Sequence, residues 1–210
     1  MHALGFSNHE ARLIISGQRV KIDGRIISKN EILDERSEVR VDEREVRKAT
    51  EYYYYRFHKP RGFESTFSEK VEANLRQFFP SIQDPVIAGR LDKDSEGLLL
   101  VSNNGKWAEN LCRPEAFKEK EYEVELEKDP DPAFLLAFET GVEIGGVLTR
   151  KCVCRVIGER TIKVVLTEGR NRQIRRMCRR LGNEVLRLKR TRIDIHLLGD
   201  LLPGMYSLVN

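Results

Sequence analysis

The chain has 210 residues, 40% of them hydrophobic and 33% charged, and its 37 basic and 33 acidic side chains leave a formal net charge of +4. That length allows one moderately large domain, or one domain with a small appendage, and the charge above the usual ~25% predicts a polar surface around a packed core. No apolar run reaches membrane-spanning length and no apolar signal core opens the chain, which argues against a helical membrane protein and predicts a soluble, cytoplasmic one.

Ser7-Asn8-His9-Glu10 has the form of a capping box, a serine N-cap followed three residues later by glutamate. Ala11, Ile14 and Ile15 supply the apolar stripe of the helix, and Gly17 stops it. A hairpin follows over 20–22 and 25–27, joined by Asp23-Gly24, residues that accept the positive φ angles of a tight turn. Residues 37–41 read as one more short strand. So short a segment buries little core, so 1–46 is a small module, with 47–52 as a linker. The run Tyr52-Tyr53-Tyr54-Tyr55 could offer rings for bases to stack on. Tyrosine's preference for strands favours a strand with rings on both faces.

The remainder, 53–210, reads as one domain. Strands are predicted at 86–88, 98–101, 121–126, 151–156 and 162–166, and Asp131-Pro132 opens a helix that stops at Gly141. Strands with short helices interspersed, in no regular βαβ alternation, predict an α+β fold. In 121–126 the alternation places Tyr122 on the apolar face with Val124 and Leu126, where a core tyrosine is the plain reading.

Charge is concentrated near the C-terminus. Residues 168–192 hold ten basic and two acidic side chains, which points to a polyanion-binding surface, with a solvated charge run as the other reading. On a helix there, Ile174, Met177, Cys178 and Leu181 form one stripe, with Arg172, Arg176, Arg179 and Arg180 broadly opposite. Arg175 falls at the edge of the stripe, about 100° from Ile174, where it can turn inward. Cys112, Cys152, Cys154 and Cys178 form no C-x-x-C pair and are read as reduced core thiols, so no metal is expected. Asp92, Asp94 and Glu96 mimic the start of a calcium loop, but its twelfth position is Asn103 rather than the required glutamate.

Three segments carry a family resemblance. Gly89-Arg90-Leu91-Asp92-Lys93-Asp94-Ser95-Glu96-Gly97-Leu98-Leu99 resembles the active-site loop of pseudouridine synthases, G-R-L-D-x-x-[ST]-x-G-L-L. Its Asp94-Ser95-Glu96 form is similar to the bacterial RsuA-type branch, which modifies ribosomal RNA. His58-Lys59-Pro60-Arg61-Gly62 resembles the N-K-P-x-G that opens the catalytic domain, with histidine replacing asparagine. Glu168-Gly169-Arg170-Asn171-Arg172-Gln173-Ile174-Arg175-Arg176-Met177 resembles E-G-x-x-R-Q-I-R-R-M, and the three occur in family order.

The resemblance implies a mixed, mainly antiparallel sheet and a uridine isomerase that needs no cofactor. It makes Asp92 the catalytic carboxylate and Arg175 the cation that keeps it ionised. It makes Tyr122, in the K-x-Y segment Lys120-Glu121-Tyr122, the ring that stacks on the target base. Phosphate contacts are expected from Lys59, Arg61, Arg172, Arg176 and Arg190, while Arg90 fills the space a flipped uridine vacates. The N-terminal module resembles the S4-like RNA-binding domain, with its first helix truncated and its Arg-Arg pair replaced by Asn8-His9. The expected partner is ribosomal RNA, large-subunit by the look of the catalytic motifs, bound by a monomer. A transfer-RNA pseudouridine synthase and a non-catalytic ribosome-assembly factor are the rivals; joint retention of Asp92, Tyr122 and Arg175 argues against the latter.

Overall fold

The computed structural model describes residues 6–34 and 36–209, in two compact units, Met1–Tyr52 and Tyr53–Asn210. In the first unit the capping box forms as written. Glu10 N donates to Ser7 Oγ at 3.3 Å, and Ser7 N donates to Glu10 Oε2 at 2.8 Å, opening α1 (Asn8–Ser16). Strands β1 (Val20–Ile22), β2 (Arg25–Ile27), β3 (Val39–Val41) and β4 (Arg44–Arg47) form a sheet in the order β2-β1-β3-β4. Ile14, Ile15, Val20, Ile22, Ile27, Val39 and Val41 make its core. The expected linker therefore begins too early, because Arg47 completes β4. The β3–β4 turn is Asp42-Glu43, with φ of 48° and 63°, a hairpin turn built without the glycine that would announce it. The stretch before Phe6, where a truncated helix was expected, lies outside the described residues.

The second unit runs β5 (Tyr54–Lys59), β6 (Val86–Ala88), β7 (Glu96–Ser102), α2 (Gly105–Cys112), β8 (Lys120–Leu126) and α3 (Pro132–Thr140). It continues through β9 (Glu143–Ile144), β10 (Val147–Leu148), β11 (Val153–Gly158), β12 (Thr161–Leu166) and α4 (Gln173–Arg180). It closes with β13 (Val185–Ile193), β14 (His196–Leu197) and β15 (Tyr206–Leu208). One nine-stranded sheet follows the path β11-β12-β8-β13-β7-β5-β15, with β6 on β7 and β14 on β13. The β7–β13 pairing is parallel and the others are antiparallel, as the expected α+β class requires.

The sheet is covered on both faces where it matters. Leu98 and Leu100 of β7 pack with Ala88, Ala108, Leu111 and Ile193, while Leu99 and Val101 pack into the larger core with Phe57, Val124 and Met177. A central strand buried on both faces is a continuous apolar run, which is how 98–101 reads. Strand β13, noticed in the sequence only for its charge, lies between β8 and β7. Its cations face acids on and beside the neighbouring strands: Arg192 lies 2.9 Å from Glu119, just before β8, and 3.7 Å from Glu121 on it, Lys189 lies 4.0 Å from Glu123, and Arg187 pairs with Glu96.

Candidate active site

Residues 89–95 leave β6 and turn back into β7. Gly97 has φ +105°, and a Cβ there would stand 2.3 Å from the carbonyl oxygen and 2.6 Å from the nitrogen of Arg190. Only glycine lets β7 and β13 meet in parallel at this point. Arg190 itself is 1% exposed. Its Nε donates to Leu98 O at 2.8 Å and its Nη2 to Gly89 O at 2.7 Å, so it ties the start of the loop to the strand that follows it. From the other side Ser65 Oγ accepts from Leu91 N at 2.9 Å and donates to Leu91 O at 2.7 Å. Lys59, 0% exposed, donates to Pro60 O at 2.9 Å and Phe63 O at 2.7 Å. Burial pulls its ammonium down to about 8, against the attraction of Asp94 and Asp92. The expectation that Lys59 and Arg190 touch phosphate is therefore corrected. Both are enclosed and occupied by backbone carbonyls, where they shape the loop.

The loop presents Asp92 half-buried, facing the start of α4. Arg172 is the N-cap of that helix, with φ +49°. Its Nη1 and Nη2 donate to the two oxygens of Asp94 at 3.0 Å each, and Nη1 lies 3.7 Å from Asp92 Oδ2. Arg175, 9% exposed, turns inward as its helical position predicts. It donates to Val185 O at 3.0 Å, Asp94 O at 3.0 Å and Ser95 Oγ at 3.3 Å. Its Nε approaches Asp94 Oδ2 at 3.3 Å without the alignment of a hydrogen bond. The expected Asp92–Arg175 pair is thus replaced: the carboxylate beside Arg175 is Asp94, and the cation beside Asp92 is Arg172. Arg175 is held down by the Val185 carbonyl and the loop backbone, whereas Arg172 reaches across from the helix start. The Arg172 fork holds the Asp94 carboxyl below its usual range, while burial lowers the Arg175 guanidinium from its ordinary value. No residue among those described donates a hydrogen bond to the Asp92 carboxylate.

Asp92 opens onto a cleft of about 760 Å³, lined also by Tyr122, Arg90, Lys120, Ile174 and Leu188. Tyr122 is 8% exposed, on the inward face of β8 between β12 and β13. A charged rim over an apolar floor carrying one phenol suits a planar, polar ring attached to a phosphodiester chain. Arg61, Arg90, Arg172 and Arg176 are exposed, as a phosphate contact requires. Arg176 lies against the β9–β10 turn, where a Cβ on Gly145 would come within 2.8 Å of its Nη2.

Lys120 and Asp94 escaped assignment from the sequence, although both stand inside quoted motifs. Period-two alternation puts Lys120 on the face of Tyr122, and Asp94 follows Asp92 by two residues. Cys112 is exposed at the cleft wall rather than buried, Cys152 is half-buried, and Cys154 and Cys178 are enclosed; burial pushes the thiols of these last three up to about 12. The carboxylates of the apparent calcium loop are engaged by arginines: Asp94 by Arg172, Glu96 by Arg187.

The profile of the family described as RNA pseudouridylate synthase matches residues 53–180, which hold Asp92, Tyr122, Arg172 and Arg175. Ribosomal small subunit pseudouridine synthase A of Pseudomonas aeruginosa is 33% identical over 215 residues, an alignment covering 97% of this chain and 91% of that one. Dual-specificity RNA pseudouridine synthase RluF of Escherichia coli is 36% identical over 149 residues, 71% of this chain and 51% of its own length. A crystal structure of a pseudouridylate synthase superposes with a TM-score of 0.72 at 26% identity, covering 100% of this chain and 93% of that one. The likeness thus takes in the loop, the cleft and the sheet that supports them, and the chain belongs to the RNA pseudouridylate synthase family.

Proposed function

We propose that this RNA pseudouridine synthase acts on a uridine of ribosomal RNA, with Asp92 as its catalytic carboxylate. The observation that supports this most is a carboxylate at the cleft, 3.7 Å from a guanidinium yet free of hydrogen bonds among the described residues, with a buried phenol in the same cleft. Isomerisation breaks the C1′–N1 bond, with the electron pair leaving on the base. The base turns, C5 bonds to C1′, and the C5 proton is lost while N1 regains one. The carboxylate of Asp92 can add to C1′, stabilise positive charge there, or remove a neighbouring sugar proton. Tyr122 stacks on the base and relays the C5 proton. Stacked RNA hides C1′ and C5, so the uridine is extruded into the cleft, and Arg90 fills the gap. Arg61 and Arg176 meet phosphates, which position the RNA without reading its sequence. The enzyme works as a cytoplasmic monomer.

The motifs favour large-subunit RNA, while a relative matching nearly the whole chain is named for the small subunit. Transcripts of both, together with transfer RNA, are therefore the substrates to compare. Asp92→Asn should abolish pseudouridine formation on the RNA that the wild type modifies, while filter binding to that RNA stays near wild type, because affinity comes mainly from phosphate contacts. Near wild-type conversion by folded Asp92→Asn would show that another group does the chemistry. Conversion of transfer RNA alone would move the substrate away from the ribosome.

A further inference from the structure

Two carboxylates and two arginines meet where α4 begins, and their hydrogen bonds are divided unevenly. Asp94 accepts both arms of the Arg172 fork at 3.0 Å each and lies 3.3 Å from Arg175 Nε. The Asp92 carboxylate is 3.7 Å from the same Arg172 guanidinium and accepts no hydrogen bond among the described residues, the Ser95 amide donating to the Asp92 backbone carbonyl instead. A planar guanidinium beside a carboxylate normally forms the parallel two-bond contact. Here that contact goes to the carboxylate two residues further on. Asp92 consequently feels the positive charge of Arg172 while its lone pairs stay available. Were the fork to turn onto Asp92, the bonds would stabilise the carboxylate and weaken it as a nucleophile or base.

We propose that Asp94 is a positioning residue: by engaging the donor edge of Arg172 it fixes that guanidinium at ion-pair distance from Asp92 and leaves the Asp92 oxygens free for the sugar. This rests on Asp92 being the reacting carboxylate. It assigns the second aspartate of the loop a task apart from bracing. Bracing has its own bonds, from Arg175 to Val185 O, Asp94 O and Ser95 Oγ, none of which uses the Asp94 side chain. In Asp94→Asn one arm of the fork meets an NH2 group instead of an oxygen, and Arg172 is released towards Asp92.

The test uses the full chain with RNA that the wild type converts. Asp94→Asn should lower the single-turnover rate at saturating enzyme by about a hundredfold, the usual scale for a reacting group misplaced by about 1 Å. RNA affinity should be no weaker, since a negative charge beside the RNA has been removed. In an Arg172→Ala background the same substitution should cost little more, because the guanidinium it controls is gone. An unchanged rate in Asp94→Asn, or an equal loss in both backgrounds, overturns the proposal. If Asp94→Asn does not fold, Arg172→Lys serves in its place. A lysine has no fork to fix on Asp94, so the rate should again fall without loss of affinity, and a normal rate overturns the proposal. Asp92→Asn runs in parallel: if it is inactive while Asp94→Asn is normal, only the role of Asp94 fails, whereas an active Asp92→Asn removes the reading beneath it.

Discussion

Lys59 ends β5 with no exposed surface and with its ammonium attracted by Asp94, Asp92 and Glu96. Burial brings its pKa down from 10.5 to about 8. The folded state therefore sheds this proton before the unfolded chain does. Below pH 8 both states are protonated, and the desolvation cost is full and constant. Between about 8 and 10.5 the unfolded chain holds more protons, so stability rises with pH, by at most about 1.4 kcal/mol per pH unit. A neutral amine still has N–H groups for the Pro60 and Phe63 carbonyls. The stability of wild type relative to Lys59→Met should accordingly increase across that window in urea titrations; a flat difference would mean that Lys59 keeps an ordinary ammonium. At this scale the sequence disclosed residue types better than their partners. The placement of Asp92 in the loop and of Tyr122 on the inward face of β8 was legible because a short motif and a two-residue period fix them locally. Whether Lys59 and Arg190 face phosphate or a carbonyl depends on the turn of a strand end and on a parallel pairing about ninety residues away, which no local pattern encodes.

The decisive element is the junction of β7 and β13. Two glycines flank Asp92 in the motif, and they differ in kind. A Cβ on Gly97 would overlap the Arg190 backbone at 2.3 Å, whereas one on Gly89, at φ +80°, would find Arg190 Nη1 at an ordinary 3.7 Å. Gly89→Ala should therefore cost only the left-handed strain, about 1–2 kcal/mol. Gly97→Ala should separate the parallel pair, and should fail to give a cooperative melt at temperatures where Gly89→Ala does. Equal melting of the two would place the strand contact elsewhere. Elements with a distinct start signal were legible: the capping box of α1, the Asp-Gly hairpin, and Asp131-Pro132, where Phe134 N does donate to Asp131 Oδ1 at 2.7 Å. Helix α2 was missed although Asn104 caps it, since it opens on glycine and is only eight residues long. Strand β13 was missed because its cations are matched by acids on β8 and β7, and that complementarity exists only once the strands are side by side.

The two units of the molecule have separate sheets and separate cores. Every residue lining the cleft falls in Tyr53–Asn210, and among the described residues the strands of Met1–Tyr52 pair only with one another. Removing residues 1–52 therefore opens no ladder of backbone hydrogen bonds and leaves the cleft residues in their own fold. The smaller unit, which we propose is an S4-like RNA-binding module, adds cations such as Arg12, Lys29 and Arg44 on exposed positions. Tethered to a second RNA-binding surface, even a weak module raises affinity through effective concentration, without touching the reacting atoms. Deletion of 1–52 should thus weaken RNA binding by at least about tenfold and flatten its salt dependence, as fewer counterions are released. The single-turnover rate at saturating enzyme should stay within about threefold of the full chain, a change below ~1 kcal/mol in barrier. Filter binding at several salt concentrations and rapid-quench conversion on the same RNA read the two effects separately. A collapse of the saturated rate in a truncated protein that still melts cooperatively would show that the small unit places the uridine itself, and that the cleft alone does not suffice to orient it.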